Sequence, residues 1–294
     1  MKKKVFAGIL CALAGITVVA FRNVTPWLFP IAAAVVSCMA TYEINHSLGI
    51  KNKAMNILTG FVSLVIPVSF GFRDAISAFG SDLGLNLKPM YFILLYGLTC
   101  LIIMLTDFEN IKFHDTTAVI VTTLGIPFAI TVLLYCNEID VIFPNAGYTK
   151  SHGLFLILYV MFCAWVTDTF AYFTGSFLGK HKLCPKISPK KTVEGAIGGI
   201  IGGAASAVAL YAIFENFVFP VPHKSYLAVA LVSAVLSAVG MCGDLTFSVL
   251  KRNCGVKDFS NLVPGHGGVM DRFDSEVFVL VAFYAIINIF GVTF

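Results

Sequence analysis

Long apolar segments separated by short connections dominate this chain of 294 residues. A helix needs about 20 mostly apolar residues to cross the hydrocarbon layer of a membrane. Hydrophobic residues make up 58% of the sequence and charged residues 12%, with a mean hydropathy of +0.87. We therefore predict an all-α polytopic membrane protein with about nine transmembrane helices. The candidate segments cover roughly residues 5–21, 27–44, 54–72, 89–106, 116–136, 153–179, 193–215, 225–250 and 275–292.

The connections between these segments are short, so residues 1–294 are predicted to form a single integral membrane domain. Residues 1–150 consist of apolar spans with sparse polar loops. Residues 160–276 differ, because acids occur inside apolar segments and the loops between them become basic. We expect the first stretch to be a scaffold and the second to carry the chemistry.

The positive charges are distributed unevenly between alternate loops. If the N-terminus faces the cytoplasm, 15 of the 20 lysines and arginines fall in cytoplasmic loops. Cytoplasmic loops carry an excess of these residues, so the distribution predicts the N-terminus inside and the C-terminus outside. The five cations on the opposite side are Arg22, Arg73, Lys88, Lys150 and Lys224.

The first apolar segment has two interpretations. Lys2, Lys3 and Lys4 followed by an apolar run resemble a secretory signal peptide, whose cleavage would fall near Ala20. The same pattern suits an uncleaved first span, which we favour because many spans follow it.

Glycines recur at every fourth residue in the seventh segment, at Gly195, Gly199 and Gly203. On a helix this spacing makes a flat face on which a neighbouring backbone can pack closely. A nucleotide-binding glycine loop is the alternative, but the run matches neither G-x-G-x-x-G nor the Walker A pattern. The glycines therefore predict close helix packing.

Two candidate acids, Asp168 and Asp244, lie inside apolar segments. An unpaired charge in the hydrocarbon costs about 2.5–3.5 kcal/mol, so Asp168 is expected to face a polar cavity; the alternative is a hydrogen bond to a neighbouring helix. Asp244, Ser248 and Lys251 share one helix face, with Arg252 adjacent. This group suits a metal ion bridged to phosphate, although the two cations could instead extend to the membrane surface.

A polar turn and two acids precede the last segment. Asp271 is predicted to be a metal ligand, whereas Asp274 is either a supporting ligand or, like Ser275, the N-cap of the last helix. The turn over residues 264–268 contains His266, flanked by glycines, which could contact phosphate or relay a proton.

The loop over residues 179–195 is strongly cationic. Its lysines could simply attract anionic lipid, which contributes about 1 kcal/mol for each cation near the surface. A more specific role than attraction of lipid is indicated by the ordered run Ser188, Pro189, Lys190, Lys191 and Thr192. Thr192 is predicted to cap the seventh helix, so that a triphosphate could lie over the helix N-terminus.

Together these motifs resemble those of phosphatidate cytidylyltransferases, also called CDP-diacylglycerol synthases. The signature of that family reads S-x-x-K-R, then K-D, P-G-H-G-G and D-R-x-D, and residues 248–274 match it with the same spacing. Two further family motifs match Asp168 with Ala171 and Tyr172, and residues 179–195. The specific resemblance covers roughly residues 160–276.

The departures from the family pattern are small. Ser260 stands where glycine is common, Val263 where a larger aliphatic residue is usual, and Val193 where tryptophan is frequent. We expect little effect on catalysis, although Val193 could alter the packing of nucleotide or lipid.

The resemblance implies that CTP and phosphatidic acid react to give CDP-diacylglycerol and pyrophosphate. It implies Mg²⁺ held by Asp244 and Asp271, a potassium ion nearby, a homodimer, and an active site facing the cytoplasm from a bacterial-type inner membrane. Membrane lipid is an expected partner and nucleic acid is not. The candidate catalytic residues are Asp168, Asp244, Lys251, Arg252, Lys257, Asp258, His266, Asp271, Arg272 and Asp274. The candidate nucleotide-binding residues are Ser188, Lys190, Lys191 and Thr192.

Two other classes of membrane protein remain open on the sequence alone. A CTP-dependent kinase of a polyprenol or similar lipid alcohol would release CDP rather than pyrophosphate. An ion-coupled transporter would explain the intramembrane acids but not the polar cluster over residues 248–274. CDP-alcohol phosphotransferases are disfavoured, because their D-x-x-D-G-x-x-A-R pattern is absent from the sequence.

Overall fold

The computed structural model describes residue 13 and residues 15–82, 89–218, 225–262 and 267–291. Residues 15–21 are helical and precede the first complete helix. The helices that follow are α1 (Leu28–Ser47), α2 (Lys53–Gly71), α3 (Arg73–Asp82), α4 (Pro89–Thr106), α5 (Phe113–Asn137), α6 (Ile139–Ile142), α7 (Lys150–Leu178), α8 (Val193–Phe217), α9 (Tyr226–Asn253) and α10 (Met270–Phe290). A 3-10 turn at Pro144–Ala146 separates α6 from α7.

Seven of the helices in the described part of the chain are long and apolar enough to cross a membrane. They are α1, α2, α5, α7, α8, α9 and α10. Helix α4 is a shorter apolar helix, and the predicted segment 5–21 lies largely outside the described residues. The polytopic helical architecture is confirmed, whereas the count of nine and the orientation stay predictions.

The all-α prediction missed one small element. Strands β1 (Lys182–Cys184) and β2 (Ser188–Thr192) form an antiparallel hairpin between α7 and α8. Lys182 pairs with Thr192 across the two strands. An ordered loop was expected within residues 179–195, and backbone pairing between the two strands is what orders it.

The chain divides into two compact units. Unit 1 consists of the chain up to Leu134 together with Asp258–Arg272, and unit 2 consists of Tyr135–Lys257 and Phe273–Phe294.

Within unit 1, helices α1 and α2 pack against each other through polar contacts as well as apolar ones. Asn45 donates a hydrogen bond of 2.8 Å to Thr59 Oγ1, and Ser63 donates one of 3.0 Å to Thr41 Oγ1. All four side chains are buried, so each bond replaces hydrogen bonds to water that burial removes. Helix α2 begins at Lys53 because the Asn52 side chain accepts from Met55 N.

Within unit 2, the predicted glycine face of α8 packs on α7. A Cβ added at Gly195 would lie 2.7 Å from Ala171 O, and one at Gly199 would lie 2.9 Å from Ala171 Cβ. Helix α7 also contacts α9, where Thr167 donates to Ser237 Oγ at 2.7 Å. The interpretation of these glycines as packing residues is confirmed.

We predict that Gly199→Ala destabilises unit 2. Its new Cβ would also meet the backbone oxygen of Thr167 at 3.0 Å, so α7 and α8 must separate. Overpacking of this kind costs about 1–3 kcal/mol, which thermal unfolding in detergent would detect. Gly125→Ala is the matched control, since a Cβ on α5 at that position meets nothing within 4 Å. Equal unfolding temperatures for the two variants would contradict the prediction.

Candidate active site

Five charged side chains from four elements of unit 2 form the centre of the candidate site. We call the three acids, Asp168 on α7, Asp244 on α9 and Asp274 on α10, the acidic cluster. Lys191 of β2 places Nζ 2.5 Å from Asp244 Oδ2. Lys251 of α9 places Nζ 3.3 Å from Asp274 Oδ2. Three of the five acids predicted to be catalytic therefore lie together with two of the predicted cations. The other two acids, Asp258 and Asp271, belong to unit 1.

The three acids are close enough to interact electrostatically. Asp168 and Asp274 each experience the charge of Asp244, and Asp274 also experiences that of Asp168. Hydroxyl groups accompany two of them: Ser275 donates to Asp168 Oδ2 at 3.2 Å, and Ser248 donates to Asp244 Oδ1 at 3.4 Å. The face shared by Asp244 and Ser248 is as predicted.

Lys251 and Arg252, treated alike from the sequence, have different environments. Lys251 is only 8% exposed and pairs with Asp274, so it does not extend to the membrane surface. Arg252 is exposed, and its Nη1 donates to the backbone oxygen of Val256 at 3.2 Å. The structure therefore brings Lys251 into the acidic cluster and leaves Arg252 at the end of α9.

Close approach of α9 to α10 places the acids together. A Cβ added at Gly243 would lie 2.9 Å from Asp274 O and 2.9 Å from the Phe278 side chain. Because glycine is immediately before Asp244, the carboxylate of α9 can approach that of α10. The role of Gly243 was not predicted, although its position next to the acid was a usable signal.

The N-cap interpretation of the last helix was wrong for both of its candidates. Helix α10 begins at Met270, so Asp274 and Ser275 lie within its first two turns rather than before them. The predicted start at residue 275 followed the apolar run, whereas the helix begins within the polar signature. Asp274 is therefore part of the charged cluster and not a cap.

A carboxylate holds the basic hairpin against the start of α8. Glu194 accepts from Lys180 N at 3.1 Å and from His181 N at 3.2 Å, and it pairs with His181 Nδ1 at 2.6 Å. These contacts fix the base of the hairpin that presents Lys191 to Asp244. Lys190 is exposed, and Ser188 is half-buried.

Thr192 caps α8 as predicted. Its Oγ1 accepts from Gly195 N at 3.1 Å. A Cβ added at Gly175 would lie 2.8 Å from this hydroxyl, and one at Gly179 would approach the Thr192 side chain equally closely. Gly175 in α7 and Gly179 directly after it therefore allow β2 and the N-terminus of α8 to lie against the end of α7.

The structure describes most of the remaining signature residues that were predicted to be catalytic. Asp271 belongs to unit 1, is 8% exposed, and accepts through Oδ2 from Phe259 N at 2.8 Å and Gly268 N at 2.9 Å. Lys257, Asp258 and Arg272 are exposed. His266 and Val263 lie outside the described residues.

Sequence reasoning missed one acid altogether. Glu43 lies inside α1 and is 4% exposed. Its Oε1 accepts from Ser260 Oγ at 2.6 Å and Val269 N at 2.9 Å, and its Oε2 accepts from Met270 N at 2.8 Å. An acid within an apolar segment, the signal that selected Asp168, was available here too.

No group of three or more histidine, cysteine or acidic side chains in the described ranges is arranged to hold a metal ion. Magnesium is commonly bound by one or two carboxylates, with water and substrate phosphates completing its ligands. Asp244 and Asp271 belong to different units, so their sharing of an ion stays a prediction.

The chain is similar to a known protein family over almost its whole length. The profile of the cytidylyltransferase family matches residues 2–290. The chain belongs to the cytidylyltransferase family.

Several curated relatives carry the name phosphatidate cytidylyltransferase. The protein from Bacillus subtilis is 31% identical over 292 residues, which is 99% of each chain. The protein from Haemophilus influenzae is 31% identical over 276 residues, covering 92% of this chain and 90% of that one. A Staphylococcus epidermidis protein is 46% identical over 132 residues, 45% of this chain and 48% of that one.

We predict that Glu194→Ala releases the base of the basic hairpin. The amides of Lys180 and His181 lose their acceptor, so their hydrogen–deuterium exchange should become faster. Glu215→Ala is the matched control, because Glu215 lies at the other end of α8, where it accepts from Tyr226 Oη at 2.8 Å. Unchanged exchange at residues 180 and 181 in Glu194→Ala would show that other contacts hold the hairpin.

Proposed function

We propose that this protein is a phosphatidate cytidylyltransferase, which transfers CMP from CTP to phosphatidic acid and releases pyrophosphate. Family membership and the near full-length relatives of that name support the proposal. The single observation that carries it is the pairing of Lys191 with Asp244 at the acidic cluster. It brings the basic hairpin, a candidate triphosphate site, to the acidic cluster.

The reaction requires two anions to meet. A phosphate oxygen of phosphatidic acid attacks the α-phosphorus of CTP, forming one P–O bond. The P–O bond to the β-phosphate breaks, and its electron pair leaves with pyrophosphate. The attacking oxygen is already ionised, so no strong general base is required. Charge neutralisation and orientation are the remaining tasks, and fixed cations perform them in phosphoryl transfer.

Lys191 and Lys251 are suited to that task because both are held in place before substrate arrives. Each is paired with an acid of the cluster. Lys190, on the same strand as Lys191, is exposed and available to further phosphate oxygens. Arg252 and Lys257 are exposed cations near the end of α9 and suit the phosphate of the lipid.

The acidic cluster suits Mg²⁺, since carboxylate oxygens are the protein ligands that this ion prefers. Asp244 is the proposed ligand in unit 2, with Asp168 and Asp274 in support, and Asp271 is proposed as a further ligand. When bound, the ion would neutralise charge on the phosphates and stabilise the departing pyrophosphate. A potassium ion near this site is part of the proposal.

We predict that Asp244→Asn lowers turnover by about 100-fold or more, because it removes both the ion pair with Lys191 and a charged metal ligand. The assay uses purified protein, radiolabelled CTP, phosphatidic acid and Mg²⁺, with the lipid product and pyrophosphate identified. Asp74→Asn, at a side chain 97% exposed on α3, is the matched control.

The products decide between the candidate activities. CDP-diacylglycerol and pyrophosphate support the proposed function, and release of CDP would instead identify a lipid kinase. Wild-type turnover in Asp244→Asn would remove this residue from the site.

The proposed arrangement in the membrane has nine spans, with the N-terminus and the candidate site on the cytoplasmic side of a bacterial inner membrane. The excess of positive charge in the loops on that side supports it. The proposed assembly is a homodimer.

We predict that a cysteine tag following Phe294 reacts with a membrane-impermeant reagent added to intact spheroplasts. An odd number of spans places the two chain ends on opposite sides, and a tag preceding Met1 is the control that should react only after lysis. Protection of the C-terminal tag in intact cells would contradict the topology.

A further inference from the structure

We infer that Glu43 is a positioning residue for the reaction, acting through the signature segment, residues 258–272. The observation behind it is that one carboxylate of α1 binds both the start of this segment and the first residue of α10. All of these groups belong to unit 1.

Glu43 caps α10 from another helix. The first backbone N–H groups of any helix lack partners within it. Met270 is the first residue of α10, and its N–H donates to Glu43 Oε2 at 2.8 Å, while the N–H of Val269 donates to Oε1 at 2.9 Å. A negative charge is also favourable at this end of the helix dipole. Glu43 therefore performs the N-cap role first expected of Asp274 or Ser275.

The same carboxylate fixes the other end of the segment. Ser260 donates to Glu43 Oε1 at 2.6 Å. One turn further along α1, Ser47 donates to Phe259 O at 3.3 Å. Residues 259–260 and 269–270 are thus tied to one face of α1.

Asp271 adds two contacts from within the segment. Its Oδ2 accepts from both Phe259 N and Gly268 N. Its orientation therefore depends on the same backbone that Glu43 holds. A change at Glu43 should move a predicted metal ligand without touching substrate.

The carboxylates of Asp271 and Glu43 explain why the signature has two adjacent glycines. Gly267 has φ +82°, and a Cβ there would lie 2.9 Å from Asp271 Oδ2. A Cβ at Gly268 would collide with the Glu43 carboxylate. The two glycines are needed because an acid lies against each of them.

Ser260 adds a side-chain donor at a departure from the family pattern. The sequence resemblance places glycine commonly at this position, and a glycine has no hydroxyl to donate to Glu43. The chain therefore adds a side-chain bond to a contact whose other two donors are backbone groups.

The kinetic test compares Glu43→Gln, Ser260→Ala and the double variant in the cytidylyltransferase assay. Loss of a supporting partner of a metal ligand typically costs 10–100-fold, so Glu43→Gln should lower kcat by about that factor. The KM for CTP should change less, because the proposed nucleotide-binding lysines lie on the hairpin. The double variant should lose less than the two single losses combined, because both changes act on one hydrogen-bonded contact.

The structural test is hydrogen–deuterium exchange at the amides of Val269 and Met270. Glu43→Gln should accelerate it, because an amide offers one acceptor oxygen where the carboxylate offers two. Ser47→Ala is the matched control: it removes a contact with the same segment and should leave those two amides protected. If Glu43→Gln does not fold, Glu43→Asp takes its place, since the shorter side chain cannot keep all three bonds.

The outcomes separate this inference from the proposed function on which its kinetic readout rests. Wild-type kcat and unchanged exchange in the Glu43 variant, or additive losses in the double variant, would overturn the inference. An inactive wild-type protein whose exchange still responds to Glu43 would overturn the proposed function and leave the capping role standing.

Discussion

Contacts between carboxylates and their donors or cations join distant parts of this apolar chain, and the candidate site depends on them. Removing a charge from water is costly unless the charge is paired or hydrogen-bonded. Asp244 meets Lys191, Asp274 meets Lys251, and Glu43 meets three donors of the signature segment. Each acid therefore joins elements that are distant in sequence.

Close backbone approach makes these meetings possible. Association of helices within a membrane depends on packing and interhelical hydrogen bonds rather than on burial of apolar surface from water. Small residues on α8 bring it against α7, and Gly243 brings α9 against α10. The acids can then reach partners on neighbouring elements without long side chains. The contacts that the acids make with neighbouring elements thus depend on glycines where the helices pack.

The same interactions bear on the proposed chemistry. A site for two anionic substrates needs cations, yet cations without partners would be costly among apolar helices. Pairing Lys191 and Lys251 with acids reduces that cost before substrate is present. Glu43 and Asp271 use their charge differently, because both hold backbone rather than cations. The acids thus divide into a charge-balancing group in unit 2 and a segment-holding group in unit 1.

Much of this protein could be predicted from the order of its residues. Apolar segments of membrane-spanning length predict helices, and the four-residue glycine spacing predicts a packing face. Thr192 before an apolar run predicts a helix cap. Each of these features depends on local periodicity or on one side chain and its neighbours. The composite signature determined the family. The hairpin, the burial of Lys251, the start of α10 at Met270 and the role of Glu43 were decided only by tertiary structure. The hairpin depends on backbone pairing of Lys182 with Thr192, and the burial of Lys251 depends on its contact with Asp274 of another helix. The start of α10 depends on Glu43, which is more than 200 residues from the segment it holds. No local pattern specifies which distant backbone group an acid will meet.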